Sequence, residues 1–258
     1  MYDSFNHALA SKAEQRKWLH DHNAAIVFAT LMAWFFLSNT LVAACRLRGK
    51  GTNVIYILYL LQSLLGAGLP TGVFYSYALD CATAIYAAII LFYLSDLCAM
   101  LIIFYKAYLV SGRRPWLLVV TAGLELATLA TIVWAALTNG ATRSNDICQQ
   151  QIYNAAPFAI RGLLSIAKNS LLCGCLFIPV HTRRKSFKQS PLSRLVIRDG
   201  VIYLVIIAWV TIVCSTFSAI YSANSPRASG MVFTVEVFVH SMLLRVQFAP
   251  HHISSLEL

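Results

Sequence analysis

The chain has 258 residues, 59% of them hydrophobic and only 12% charged, with a mean hydropathy of +0.67. Soluble domains carry about a quarter charged residues, so a soluble globular domain, a disordered chain and a disulfide-rich secreted module are all disfavoured. A formal net charge of +10 would suggest nucleic acid, but the basic residues lie between long apolar runs, so the expected partner is a lipid bilayer and not nucleic acid.

Residues 1–23 are polar and lack the apolar core of a cleavable signal peptide. Phe5, Leu9, Trp18 and Leu19 allow a short interfacial helix there, with a solvated tail as the alternative. A bilayer core about 30 Å thick takes about 20 apolar residues as a helix. Seven segments meet that length: Ala24–Cys45, Asn53–Leu69, Leu79–Val110, Trp116–Thr138, Ala155–Val180, Gly200–Ser222 and Met231–Ala249. The expected fold is therefore an all-α bundle of seven membrane-spanning helices over residues 24–249, with a short tail at 250–258. No ten-residue alternating pattern supports a β-barrel. The third segment is too long for one perpendicular span and must tilt or continue past the bilayer. Short connections at Arg48–Thr52, Pro70–Val73, Ser111–Pro115 and Ser225–Gly230 are punctuated by Gly, Pro and Asn.

Within these segments, Gly66-Ala67-Gly68 is a candidate break in helix two. Gly123, Ala127, Thr131 and Ala135 recur every four residues on helix four, suited to packing within the bundle or to a homodimer face. Cys173 and Cys175 point about 200° apart on a helix, so they cannot share one metal ion. His251-His252 is a weak metal signal, and no phosphate loop, nucleophile elbow or His-Glu-x-x-His pattern is present. No metal and no cofactor is expected.

Lys and Arg favour the cytoplasmic face. With seven spans, eleven basic residues share a side with the C-terminus and five lie on the other, so the N-terminus is expected outside. The inner connection His181–Arg198 decides this, with Arg183, Arg184, Lys185, Lys188, Arg194 and Arg198. It is expected to attract anionic lipid or a cytoplasmic transducer, and Ser186 after Arg183-Arg184-Lys185 has the form of a basophilic kinase site. Cys45 beside Arg46 is placed for palmitoylation. In this orientation only Cys81 and Cys148 of the seven cysteines reach the oxidising side, so a Cys81–Cys148 disulfide is expected. The location expected is the plasma membrane or another membrane of the secretory pathway.

Seven helices with the N-terminus outside, and a Cys at the top of helix three facing one in the following outer loop, resemble the G-protein-coupled receptor plan. The resemblance covers the chain as architecture and rests on Cys81 and Cys148 as motif. It implies a ligand site open to the outside and a transducer docked between helices five and six. Helix three ends Phe104-Tyr105-Lys106-Ala107-Tyr108, without an acidic-Arg-aromatic triplet. Helix six has Trp209 but no proline, and helix seven lacks Asn-Pro-x-x-Tyr. The stretch Leu195–Tyr203, with Arg198-Asp199-Gly200, is also similar to uncharacterised fungal seven-helix membrane proteins.

The ionisable residues inside the spans are the candidate ligand site: Asp96, Glu125, Arg161, Lys168, Glu236 and His240. Such groups need partners or a water-filled cavity. Setting aside His240 and the inner Arg245, three acids face two bases. Lys168 is expected to meet Asp96 or Glu125, and Arg161 to meet Glu236, either locking the bundle or lining an outward polar pocket. Arg245 is placed to snorkel to water. The leading expectation is a receptor-like protein binding a small ligand and not an enzyme. The first alternative resembles the fungal integral-membrane terpene cyclases and uses Asp96, Glu125 or Glu236 as proton donor. The second is a small proton-coupled carrier. A retinal protein is disfavoured because helix seven has no Lys.

Overall fold

The computed structural model describes the backbone at residues 2–50, 53–75, 80–144, 147–151, 154, 156–182, 205–207, 209–214, 216 and 226–247. Within those ranges the side chains of 2–22, 24–25, 50, 71–75, 110, 141–144, 147–151, 173, 176–182, 226–234 and 247 lie outside the description.

Among the described residues the helices are, in chain order, α1 (Tyr2–Lys50), α2 (Val54–Tyr75), α3 (Cys81–Val110), α4 (Pro115–Thr138), α5 (Ala156–Thr182), the shorter apolar α6 (Val205–Cys214) and α7 (Pro226–Gln247). Between α4 and α5 stands a hairpin of β1 (Gly140–Ser144) and β2 (Ile147–Gln151). Among the described residues, three stretches are long and apolar enough to cross a membrane: Ile26–Gly49, Cys81–Leu109 and Pro115–Thr138.

Local chemistry sets the helix ends. The Asn53 carboxamide oxygen accepts from the Ile55 amide at 3.1 Å and caps α2. Asp80 caps α3, accepting from the Thr83 amide at 3.1 Å and its hydroxyl at 2.9 Å. After α3 the chain reverses through Gly112 (φ +75°) and Arg113 (φ +59°), and Pro115 opens α4, where a missing N–H costs nothing. The Ser111 hydroxyl ties this turn to α5 by donating to the Cys175 carbonyl at 3.2 Å.

Helix α1 runs 49 residues through the polar N-terminal segment, roughly 74 Å at the rise of an α-helix. Three boundaries differ from expectation. α2 passes through Pro70 to Tyr75, so much of the expected connection at 70–73 is helix. Neighbouring helices in a bundle make good the one hydrogen bond that such a proline removes. α7 starts at Pro226 rather than Met231, because proline suits the first helical position. The connection after α4 pairs with itself, with Gly140 opposite Gln151 and Ser144 opposite Ile147. Asn139 fastens its base, donating to the Ala135 carbonyl at 2.9 Å and accepting from the Asn154 amide at 3.0 Å.

Gly66 and Gly68 are close-packing positions rather than a break. A Cβ on Gly66 would collide with the Phe36 ring of α1, and one on Gly68 would lie 2.9 Å from Leu91 of α3. On α4, Thr131 and Ala135 are buried while Gly123 meets nothing within 4 Å, so half of the small-residue row faces the bundle itself.

α3 lies at the centre, touching α2, α4, α5, α7 and both strands; α7 also packs on α1 and α2. The apolar core gathers Tyr59, Ala99, Ile102, Leu172, Ile207 and Leu244. The outer surface is apolar as well. On α1, Val27, Leu31, Trp34, Leu37 and Leu41 recur at helical spacing and are all more than half exposed, while Asn39 on the inner face is fully buried. Exposed apolar stripes over an interior that also buries polar side chains depart from the order of a water-soluble protein and suit a hydrocarbon solvent.

Candidate functional site

The buried polar residues converge between α3, α5 and α7. Arg161 and Lys168, two turns apart, share the inner face of α5, which is 8% and 2% exposed at those positions. Glu236 and His240 share the inner face of α7, each 2% exposed. Asp96 comes from the middle of α3, and Glu125 from α4.

Among the described residues, two ion pairs form, and a third contact sets a histidine against a carboxylate. Arg161 Nη2 donates to Glu236 Oε2 at 3.1 Å, joining α5 to α7. Glu236 Oε1 also accepts from the Thr211 hydroxyl of α6 at 3.0 Å. The Arg161 guanidinium stacks on the Phe92 ring, 4.5 Å from its centroid. Lys168 Nζ donates to Glu125 Oε1 at 2.9 Å, joining α5 to α4. His240 Nδ1 lies 3.1 Å from Asp96 Oδ1, joining α7 to α3. Of the two partners open to Lys168, the structure selects Glu125, and Asp96 takes His240 instead.

A chain of uncharged side chains, entered from the Arg245 guanidinium, continues from these pairs. Arg245 Nη1 donates to Asn39 Oδ1 at 3.2 Å, and Asn39 Nδ2 donates to the Ser241 hydroxyl at 2.8 Å. Ser241 donates to Gln62 Oε1 at 3.2 Å; Gln62 Nε2 reaches Ser95 Oγ at 3.4 Å, and Ser95 donates back to the Gln62 carbonyl at 3.2 Å. Ser95 precedes Asp96 and Ser241 follows His240, so the charged and uncharged networks meet at adjacent residues on α3 and α7. Arg245 does not snorkel alone: Asn39 binds its guanidinium and the Phe35 ring lies 5.6 Å from it.

Asn39, Gln62, Ser95, Thr211 and Ser241 escape a reading limited to ionisable residues. Their signal is the isolated polar side chain inside an apolar run. Asn169 carries the same signal but differs in its bonding: it is 1% exposed, and among the described residues neither its Nδ2 nor its Oδ1 has a partner.

Arg183, Arg184, Lys185, Ser186, Lys188, Arg194 and Arg198 lie outside the described residues. Cys81 opens α3, and Cys148 lies in β2 opposite Arg143, with its side chain outside the description. No disulfide is present among the described side chains. Among the described residues, no group of three His, Cys, Asp or Glu is placed to hold a metal ion. No protein-family model matches the chain, and no curated protein is detectably similar to it.

Proposed function

We propose that this chain is a receptor-like protein of seven membrane-spanning helices, with its N-terminus outside. It binds a small ligand bearing both charges among Arg161, Lys168, Glu125, Glu236, Asp96 and His240, and engages a cytoplasmic partner through residues 181–198. The observation that carries the reading is that one buried network of both signs joins α3, α4, α5, α6 and α7. A zwitterion competes for both halves of such ion pairs, and each exchange changes which helices are tied together. A cyclase that protonates an isoprenoid needs a carboxylic acid free to give up a proton. Here Glu125, Glu236 and Asp96 each face a nitrogen base, which favours the receptor reading over the enzyme.

The outer hairpin packs on α3 and α7, and in this reading a Cys81–Cys148 disulfide holds it over the mouth of the bundle. Alkylating free thiols before reduction, then looking for a linked peptide pair by mass spectrometry, tests both the bond and the outside placement of that end.

The ligand site is tested with the full chain in lipid nanodiscs. Small zwitterions are screened for a rise in thermal midpoint, then titrated against Glu236→Gln and Lys168→Met. Graded losses of potency support the receptor. Turnover of an isoprenoid diphosphate, abolished by one acid-to-amide change while expression survives, replaces it with the enzyme.

A further inference from the structure

Two arginines meet at the end of the bundle where α1 finishes and α2 begins. Arg46 lies three residues before the end of the apolar stretch Ile26–Gly49, and Arg245 two residues before the end of α7. Both therefore stand near the depth at which hydrocarbon gives way to headgroups, not at the centre of a span. Asn39, Ala43 and Arg46 follow one another at helical spacing on α1, and the first two are fully buried, so this row runs from the interior to the rim. Ala43 packs in one core cluster with Tyr59 of α2 and with Leu244, the residue before Arg245 on α7. Asn39 accepts from Arg245 at 3.2 Å, which holds that guanidinium against the same face of α1. Tyr59 is fully buried, and the charges that act on its hydroxyl are those of Arg245 and Arg46.

The interior does not use Arg46 for charge balance. Asp96, Glu125 and Glu236 bring three negative charges, and Arg161, Lys168 and Arg245 bring three permanent positive ones. Arg46 is a fourth cation. Its Nη1 is sealed from solvent, and among the described residues no acceptor meets it. A guanidinium keeps its charge and presents its donors in a fixed fork, so a sealed nitrogen without an acceptor is costly. Arg46 as a whole is only partly buried, so an anion reaches it from the headgroup layer without entering the bundle.

We propose that Arg46 and Arg245, where α1, α2 and α7 meet, form a binding site for one phosphate group, the chemistry shared by an anionic phospholipid headgroup and free phosphate. Phosphate oxygens take paired, charge-assisted hydrogen bonds from a guanidinium. One phosphate supplies the single negative charge that Arg46 lacks, and a basic pocket between helix ends is suited to a headgroup. The site is separate from the ion pairs of α4, α5 and α7, and it stands whichever small ligand those bind.

The test uses the full chain in nanodiscs, with thermal midpoints read by tryptophan fluorescence. Three conditions are compared: phosphatidylcholine alone, phosphatidylcholine with phosphatidylglycerol, and phosphatidylcholine alone with inorganic phosphate replacing chloride at equal ionic strength. Binding to the folded state raises the midpoint by mass action. The wild type is expected to gain several degrees in at least one of the two anion conditions. Arg46→Gln is expected to lose that gain while matching or exceeding the wild type in phosphatidylcholine alone. Arg48→Gln, which removes an exposed charge two residues on, is expected to keep it. A gain with phosphatidylglycerol only assigns the phosphate to a headgroup; a gain with inorganic phosphate assigns it to the free ion. General attraction of a basic protein to an anionic surface predicts the same result for both variants, and that outcome overturns the site. So does an Arg46→Gln variant destabilised equally in every condition, which makes Arg46 a structural residue, or a wild type that gains in neither anion condition. Should Arg46→Gln fail to fold, native mass spectrometry of the wild type from the mixed nanodiscs decides: retention of phosphatidylglycerol in preference to phosphatidylcholine, or of phosphate from the third condition, upholds the proposal, and retention of neither overturns it.

Discussion

Cutting one half of the Arg161–Glu236 pair strands the other half inside the bundle. Arg161 is 8% exposed and Glu236 2%, so neither charge can turn to water. Removing one partner of such a pair costs about 3–5 kcal/mol. In Glu236→Gln the stranded guanidinium keeps the Phe92 ring at 4.5 Å, and the new amide oxygen can still accept from Thr211. Cation–π contact is worth up to about 2 kcal/mol when desolvated, which puts this variant at the lower end, about 3 kcal/mol. In Arg161→Met the Glu236 carboxylate keeps a single hydroxyl, so the loss is larger, about 4 kcal/mol. The double variant leaves no charge behind and is expected to lose only about 1–2 kcal/mol, because apolar replacement of a whole buried pair is close to neutral. For a chain of this size each kcal/mol moves the thermal midpoint by about 2–4 °C, so the singles fall by about 10 °C and the double recovers most of it. Intrinsic tryptophan fluorescence during heating in nanodiscs reads this directly. A double variant as unstable as the two singles combined would show that the two charges do not meet, and would refute the pairing.

Other substitutions separate packing from polarity. Asn169→Leu removes a buried carboxamide whose two polar atoms have no partner among the described residues; an unsatisfied group costs about 1–3 kcal/mol, so the thermal midpoint should rise. A fall would show that the amide holds an ordered molecule. Gly66→Ala drives a methyl into the Phe36 ring and should cost about 1–3 kcal/mol, whereas Gly123→Ala, with nothing within 4 Å, should be neutral or slightly stabilising. Midpoints of the two alanine variants, compared side by side, check the α1–α2 contact. Asp80 stands outside the apolar stretch, and hydrogen bonds from the Thr83 hydroxyl and then its amide hold its carboxyl below the ordinary value. Its capping contribution is therefore complete above the unfolded carboxylate range and is lost as pH falls through the lower folded value. Amide exchange at Thr83 and Ala84, corrected for intrinsic rate, should speed up only at strongly acid pH, and Asp80→Asn should remove that step.

What the chain reveals by itself is set by solvent and period. Long apolar runs, with polar residues recurring on one side of each, define helices with outer faces suited to lipid and inner faces that meet one another. That is why Asp96, Glu125, Arg161, Lys168, Glu236 and His240 stand out as interior residues from sequence alone. The Arg161–Glu236 pair also follows from one-dimensional reasoning, since opposite charges buried in one bundle must find each other. Partner choice is another matter. Lys168 had two acids within the same logic, and only the placement of α4 beside α5 gives it Glu125 and leaves Asp96 to His240. The same holds for Asn39, Gln62, Ser95 and Ser241, whose hydrogen bonds cross up to 206 residues of chain through Arg245 and have no local signature. Helix ends depart from the local signal at proline. Pro70 lies within α2 and Pro226 opens α7, because bundle neighbours and helix position decide what a missing N–H costs. The hairpin after α4 needed Asn139 to bridge fifteen residues to Asn154. Composition and period identify which residues are interior. Which of them touch is decided by helix neighbours, because an ion pair or hydrogen bond forms only across a few ångströms that no spacing along the chain specifies.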